Sequence, residues 1–274
     1  MPRVHLFCAG ALPLPQKRND QVDFRRPRYL PGLELVHASY VGRSFPTHSH
    51  PEYVVGAVIG GAERLTLAGR EMIVRAGGSL CLHPGEPHAN ASLGDKILSY
   101  RVFYIPPSLV PPELKLAFSS PISDNKRLFR PLVDAHLTLA CSDDQLEQEQ
   151  AFLCFLHALP IASESSPPGR HVHLGLAAVK AYLESHFRER PGMAELAAVA
   201  GLSPFHLSRS FRRHYGLAPA AFRNQLRVME ARWMLRRGDN IAAVALAVGF
   251  ADQSHLTRLF QRVLGTTPGS YAKQ

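Results

Sequence analysis

The chain has 274 residues, 46% of them hydrophobic, which suits a globular protein of two domains or one large one with a sizeable core. No stretch approaches the ~18 uninterrupted apolar residues that a membrane span requires, so no membrane role is expected. The net charge of +9 is unevenly spread, because residues 171–274 carry fourteen Lys and Arg against six Asp and Glu while residues 1–170 are nearly neutral. A basic domain of that kind suits a polyanion partner.

At the start, VHLFCAGALPLP faintly resembles a signal-peptide core, but it contains two prolines and runs into KRND without a cleavage pattern, so a cytoplasmic location is expected. Cys8, Cys81, Cys141 and Cys154 form no CxxC pair, which fits reduced, buried thiols. Residues from about 30 to 105 read as strands broken by Gly and Pro. RLTL (64–67), the turn AGR and EMIVR (71–75) predict a hairpin, followed by SLCLH (79–83) and the alternating SYRVFYI (99–105). Residues 111–160 read as helix, and Leu146, Phe152, Leu153, Leu156 and Leu159 can share one apolar face, packed within the domain or against a second chain. PIASESSPPGR (160–170) reads as a linker. The expected division is 1–110 for a strand-rich domain, 111–160 for supporting helices, 161–171 for the linker and 172–274 for an all-helical domain.

The helical domain contains one pattern twice. In the first copy, MAELAAVA (193–200) is a short helix with Leu196, Val199 and Ala200 facing inward, and Gly201 permits a tight turn. Ser203 caps the next helix, Pro204 occupies its first position, and Leu207, Phe211 and Tyr215 form its buried face. Phe205, His206, Ser208, Arg209, Arg212 and Arg213 lie outward. In the second copy, IAAVALAV (241–248), Gly249, Asp252 and Leu256, Phe260 and Leu264 take the same parts, leaving Gln253, Ser254, His255, Thr257, Arg258 and Arg262 outward. The match extends through Gly216 with Gly265, Pro219 with Pro268 and Phe222 with Tyr271. Between the copies, Phe222, Leu226, Met229 and Trp233 predict an apolar helix stripe that ends at Gly238. A helix over Pro219–Arg237 spans about 28 Å, close enough to the ~34 Å turn of B-DNA to hold two recognition helices in successive major grooves.

The segment VGFADQSHLTRLFQRVLGTTPGSY, with its first-copy counterpart, resembles the DNA-binding domain of the AraC/XylS family of bacterial transcription regulators over about residues 173–272. The resemblance implies base contacts from Phe205, Ser208 and Arg209 and from Ser254, His255, Thr257 and Arg258, with Arg212 and Arg262 nearer phosphates. Phe205 either reads a base or packs at its helix start. In the front half, FPTHSHPEYVVGAVIGG (45–61) and GGSLCLHPGEPHANA (77–91) resemble a cupin barrel, the sensor domain of many family members. In metal-binding cupins the residues matching His48, His50, Glu52 and His88 would surround one ion. Here Glu52 follows His50 too closely and PGEPH is one residue short, so no metal or other cofactor is expected. These four residues, with Arg101 pairing an anionic effector unless it forms a surface salt bridge, are the expected effector pocket. By the period-two rule His48, His50 and Glu52 share a strand face, and His83 or His88 caps the PGEP turn.

The expected fold is thus α+β multidomain, with a cupin-like β-barrel, supporting helices and an all-α domain of two helix-turn-helix units joined by a linker helix. The expected function is a sequence-specific transcription regulator, not an enzyme. Its partners are double-stranded promoter DNA and a small-molecule effector, with RNA polymerase and a homodimer left open. A metal-dependent cupin enzyme with an accessory helical domain is the alternative.

Overall fold

The computed structural model describes residues 20–111, 114, 116–159 and 174–273, so the linker expected at 161–171 and Cys8 lie outside the described residues. Strands come first: β1 (Gln21–Arg25), β2 (Glu34–Tyr40), β3 (Ser44–His48), β4 (Tyr53–Gly60), β5 (Ala62–Leu67), β6 (Arg70–Arg75), β7 (Ser79–Leu82), β8 (His88–Ser92), β9 (Leu98–Ile105) and β10 (Ile122–Ser123). Two helices follow, α1 (Lys126–Cys141) and α2 (Gln145–Ala158). The helical domain holds α3 (Leu174–Ser185), α4 (Met193–Ala200), α5 (Pro204–Tyr215), α6 (Pro219–Arg236), α7 (Ile241–Ala247), α8 (Gln253–Leu264) and α9 (Pro268–Ala272).

The predicted hairpin is β5–β6, and its turn residues Ala68 and Gly69 both have positive φ, 50° and 79°, as a two-residue type I′ turn demands. The strands form two antiparallel sheets, ordered β1-β2-β9-β4-β7-β10 and β3-β8-β5-β6. β10 falls within the stretch expected to be helical, yet it pairs with β7 and so extends the first sheet. Alternation along β9 divides its side chains. Tyr100 and Val102 enter a core shared with Leu65 and Val74 of the second sheet, whereas Phe103 and Ile105 pack under α1 and α2 with Leu132 and Phe155. The large sheet is therefore buried on both faces, which is why β4 (YVVGAVIG) reads as an apolar run rather than an alternation. On α2 the inward residues are Phe152, Phe155 and Leu156, while Leu146 and Leu153 are 70% and 48% exposed. The single stripe predicted there is thus split over two faces. Cys81 is buried, but Cys141 and Cys154 are exposed, contrary to the expectation of buried thiols.

The two helix-turn-helix units are α4–α5 and α7–α8. Ser203 Oγ accepts from the backbone N–H of His206 and Asp252 Oδ1 from that of His255, so both predicted caps are made. Leu207, Phe211, Leu256 and Phe260 are wholly buried. Val199, predicted inward, is exposed, and α4 instead buries Leu196, Ala197 and Ala200. The stripe predicted on α6 is displaced too. Val228, Ala231 and Leu235 form its core, while Trp233 is 49% exposed with the Arg237 guanidinium 4.6 Å from its ring centre. A different face is buried because α6 must bury a side toward the barrel as well as toward α3 and α5. The first unit has its own core around Phe211 and Phe222, but the core of the second is continuous with that of the barrel.

Arg227, buried within α6, donates to the carbonyls of Phe187, Arg188 and Glu189, which ties the α3–α4 connection to the linker helix. Gly249 completes this contact from the other side. Its φ is +89°, and a Cβ there would collide with the Arg188 carbonyl oxygen. Gly249→Ala is expected to cost roughly 1–3 kcal/mol of stability. Chemical denaturation checks this, and an unchanged midpoint would show that the turn relaxes freely.

Candidate functional site

The outward faces of α5 and α8 form the first part of the site. Phe205 is 75% exposed, so it does not pack at the helix start. His206, Arg209, Arg212 and Arg213 are exposed with it, and Ser208 is half-buried. On α8, Gln253, Ser254, Arg258 and Arg262 are exposed, and Thr257 and His255 are half-buried, the latter with its ring 5.0 Å from Phe250. The end of α5 at Gly216 lies against Thr47 and Pro87, and the end of α8 at Gly265 lies against Tyr40 and Phe45, so both C-termini face the barrel. Arg212 and Arg262 line one cavity of about 340 Å³ between the domains, with Thr47, His48, Asn224 and Gln225 among the other lining residues.

The second part lies inside the barrel. His48 and His88 are direct cross-strand partners on β3 and β8, and their ring centres are 4.4 Å apart. His50 completes the group at 4.9 Å from His48 and 5.4 Å from His88. One ring nitrogen of each lies within 4.8 Å of the others, and all three residues are buried. His48 Nδ1 is 2.8 Å from the Pro46 carbonyl oxygen and His88 Nδ1 is 2.9 Å from that of Glu86. A carbonyl only accepts, so each Nδ1 carries the proton and each Nε2 keeps its lone pair. Burial lowers the pKa of all three, that of His88 to about 3, with the neighbouring imidazoles adding to the effect on His50 and His88. Glu63 faces the same small space, and burial raises its carboxyl to about 7 despite a 2.7 Å bond from Asn90.

Glu52 and Arg101 do not join this group. β3 ends at His48, Pro51 breaks the extended run, and Glu52 turns out to meet the Arg232 guanidinium of α6 at 3.0 Å. Arg101 lies on the opposite face of β9 from Tyr100 and Val102, where it donates to His136 Nδ1 at 3.2 Å. It is thus placed away from the histidine group, and among the described residues it forms no surface salt bridge. Of the two histidines expected to cap the PGEP turn, His88 does so through its Nδ1–H on the Glu86 carbonyl, and the Glu86 carboxylate adds a bond from the His83 backbone N–H at 3.1 Å.

A third cluster, missed in the sequence, joins the domains. Glu34, fully buried on β2, pairs with Arg232 and Arg236 and accepts from the Tyr271 hydroxyl. Arg26 adds a contact at 3.1 Å. Burial alone would raise the Glu34 carboxyl, but Arg232, then Arg236 and Tyr271, hold it well below the usual carboxylate range. Gln225 donates to the Ser49 carbonyl, extending the junction along α6. The available signals were a lone Glu in the strand ELVHASY and a repeat mismatch that adds a hydroxyl to a core ring, Phe222 against Tyr271.

Residues 196–274 match the family model of a helix-turn-helix domain, and residues 30–156 match that of an AraC-like ligand binding domain. The chain is 29% identical to the HTH-type transcriptional regulator YbfI of Bacillus subtilis, over 82% of this chain and 86% of that one. It is 38% identical to the HTH-type transcriptional activator RhaS of Escherichia fergusonii over 89 residues, 32% of each protein. The structure of ToxT from Vibrio cholerae superposes with a TM-score of 0.53 at 12% identity, covering 88% of this chain and 98% of that one.

Arg232→Met would leave Glu34 and Glu52 with a missing partner in a buried place. The expected cost is about 3–5 kcal/mol, limited by the free energy of separating the domains, since separation rehydrates both carboxylates. Because Glu34 is held low in the folded state, it stabilises fully above its unfolded pKa of ~4.3 and progressively less as pH falls. The variant's acid dependence of stability should therefore be shallower, as chemical denaturation between about pH 6 and pH 3 would report. Parallel curves would mean that Arg236 and Arg26 suffice.

Proposed function

The chain belongs to the AraC family of transcription regulators, and from this premise we propose that α5 and α8 read promoter DNA in the cytoplasm while the barrel answers to a small molecule. The observation that carries this reading is the matched construction of the two helices. Each is capped at its start, buried on one face and exposed on a donor-rich other face, and each ends against the barrel. α6, 18 residues and so about 27 Å long, joins the two units, a length comparable with one turn of duplex. Arg209 and Arg258 are the principal base readers, because a bidentate guanidinium on guanine gives the strongest common discrimination. Phe205, His206, Ser208, Gln253, Ser254, His255 and Thr257 border them, and Arg212 and Arg262 serve the phosphates. No step requires covalent chemistry.

The effector reading follows from volume. The space within the barrel is only about 30 Å³, too small for an organic ligand, whereas the cavity between the domains, at about 340 Å³, falls within the range for such molecules. A ligand there touches His48 on one side and Arg212 and Arg262 on the other. It can shift the domain arrangement only through differential affinity for the joined and separated states. RNA polymerase and a second copy of the chain, over the exposed Leu146 and Leu153 of α2, are the further partners of this reading.

Two substitutions test the DNA assignments. Arg258→Ala should cost ~1–3 kcal/mol on the specific site and far less on random duplex; equal losses in a competition binding assay would remove Arg258 from the base readers. Arg212→Ala should reduce the slope of log K against log salt by ~0.9. An unaltered slope would leave Arg212 with a role only at the cavity.

A further inference from the structure

Where α6 passes the α3–α4 connection, guanidiniums gather without a carboxylate to offset them. We propose that Arg190 and Arg223 clamp one phosphate of the duplex backbone, between the two major grooves that α5 and α8 enter. The clamp rests on the DNA reading given above and adds a contact that neither recognition helix makes.

Three observations point to an anion. Arg190, on the connection, and Arg223 and Arg227, about one turn apart on α6, are close enough to repel one another. Burial and this repulsion lower the pKa of Arg223 and bring that of Arg227 down to about 10. Second, the acids nearby are not spent on the pair. Glu230 is held by Arg188 at 3.2 Å, and among the described residues neither Arg190 nor Arg223 has an ion-pair partner. Third, the two buried guanidines of α6 differ in how they are satisfied. Arg227 gives its Nε and Nη2 to three carbonyls at 2.6 to 3.1 Å, whereas Arg223 Nε is buried without a hydrogen-bond partner. An anion between Arg190 and Arg223 would take the idle donor and relieve the repulsion, and guanidiniums match the oxygens of a phosphate.

The position of the pair selects the anion. Arg223 and Arg232 are nine residues apart, about two and a half turns of helix, so they project from opposite sides of α6. Arg232 faces the barrel at Glu34 and Glu52. Arg223 therefore faces away from it, toward the side on which α5 and α8 begin. The connection also marks the seam between the two helix-turn-helix units. It leads into α4 of the first, and its Arg188 carbonyl packs against Gly249, the turn of the second. Two helices in successive major grooves leave a stretch of backbone between them that neither reads. A contact to that stretch fixes register and orientation and carries no sequence information. An acidic group on another protein would meet the same donors, but the seam lies between the two reading helices, on the side the duplex occupies.

The test uses the full chain and a duplex selected by it from a random pool, with binding measured as salt is raised. The double variant Arg190→Gln/Arg223→Gln should lose about 3.5-fold less affinity than the unaltered protein between ~50 and ~200 mM salt, the effect of one phosphate contact. Its preference for the selected over a random duplex should stay the same, and Arg190→Lys/Arg223→Lys should restore most of the salt dependence. Neutral methylphosphonates, placed one at a time between the half-sites, should reveal a position that weakens the unaltered protein and leaves the glutamine variant indifferent. The glutamine variant should also denature at an equal or higher midpoint, because an unpaired charge has been removed; a lower one would overturn the premise of idle donors. An unchanged salt dependence, or no such phosphate, overturns the clamp. So does a glutamine variant that binds duplex normally but fails to activate polymerase, which would give the pair to a protein partner. Failure of the DNA reading itself looks different: the unaltered chain would select no sequence.

Discussion

One guanidinium, that of Arg232, is held between Glu34 and Glu52 of the barrel where none of the three charges is open to water. Two acids and one base cannot be left there at random. Each carries a desolvation cost of several kcal/mol that only close, well-directed partners offset. Arg236, Arg26 and the Tyr271 hydroxyl supply the remaining bonds to Glu34. The apolar residues around them belong to a core that runs unbroken from the barrel into the second helix-turn-helix unit. Apolar contact makes the junction adhesive, and the charges make it particular, because a shift in register would strand a carboxylate in that core.

The linker helix performs this function while holding the two DNA-reading units together. Arg227 and Arg232 are five residues apart, about 140° around a helix of 3.6 residues per turn. They therefore project from well-separated faces. Arg227 fastens the carbonyls of residues 187–189, and Arg232 fastens the barrel. A helix committed on two sides cannot also present a single apolar stripe, and this accounts for Trp233 being left at the surface under Arg237. The second unit is thus attached to the barrel by core and charge, and the first mainly through α6 and the contacts around Thr47 and Pro87.

The sequence made local features legible wherever a residue's role depends on its neighbours in the chain. The caps at Ser203 and Asp252, the turn at Ala68–Gly69 and the buried faces of α5 and α8 are of this kind. Period-two reasoning also separates Tyr100 and Val102 from Phe103. It failed at Glu52 because Pro51 ends the extended run, and at Arg101 because a strand covered on both faces has a second interior that a lone chain does not advertise. The domain junction was unreadable for a further reason. Glu34 and Arg232 are 198 positions apart, and the partner of a buried charge is set by tertiary packing. The local traces were Glu34 alone in its strand and Tyr271 standing where the first repeat has Phe222, and their meaning emerges only once the hydroxyl is seen on Glu34.

The joined arrangement also constrains how any signal can reach DNA. In α5 and α8, Phe205 and Ser254 lie in the first turn, at the ends away from the barrel, and Arg209 and Arg258 in the second, whereas Arg212 and Arg262, one turn or less from the helix ends, border the cavity beside it. A change at the junction therefore acts first on the later arginines and only secondarily on the early turns. Contacts from such arginines to phosphates set affinity uniformly across sequences, while base-edge contacts set preference among them. Regulation through this interface should alter how tightly the protein holds duplex DNA, and how strongly salt opposes it, while leaving the preferred sequence nearly constant. The Tyr104 ring, 4.9 Å from that of His50 and 5.1 Å from the Arg232 guanidinium, is all that separates the barrel's histidines from the same junction.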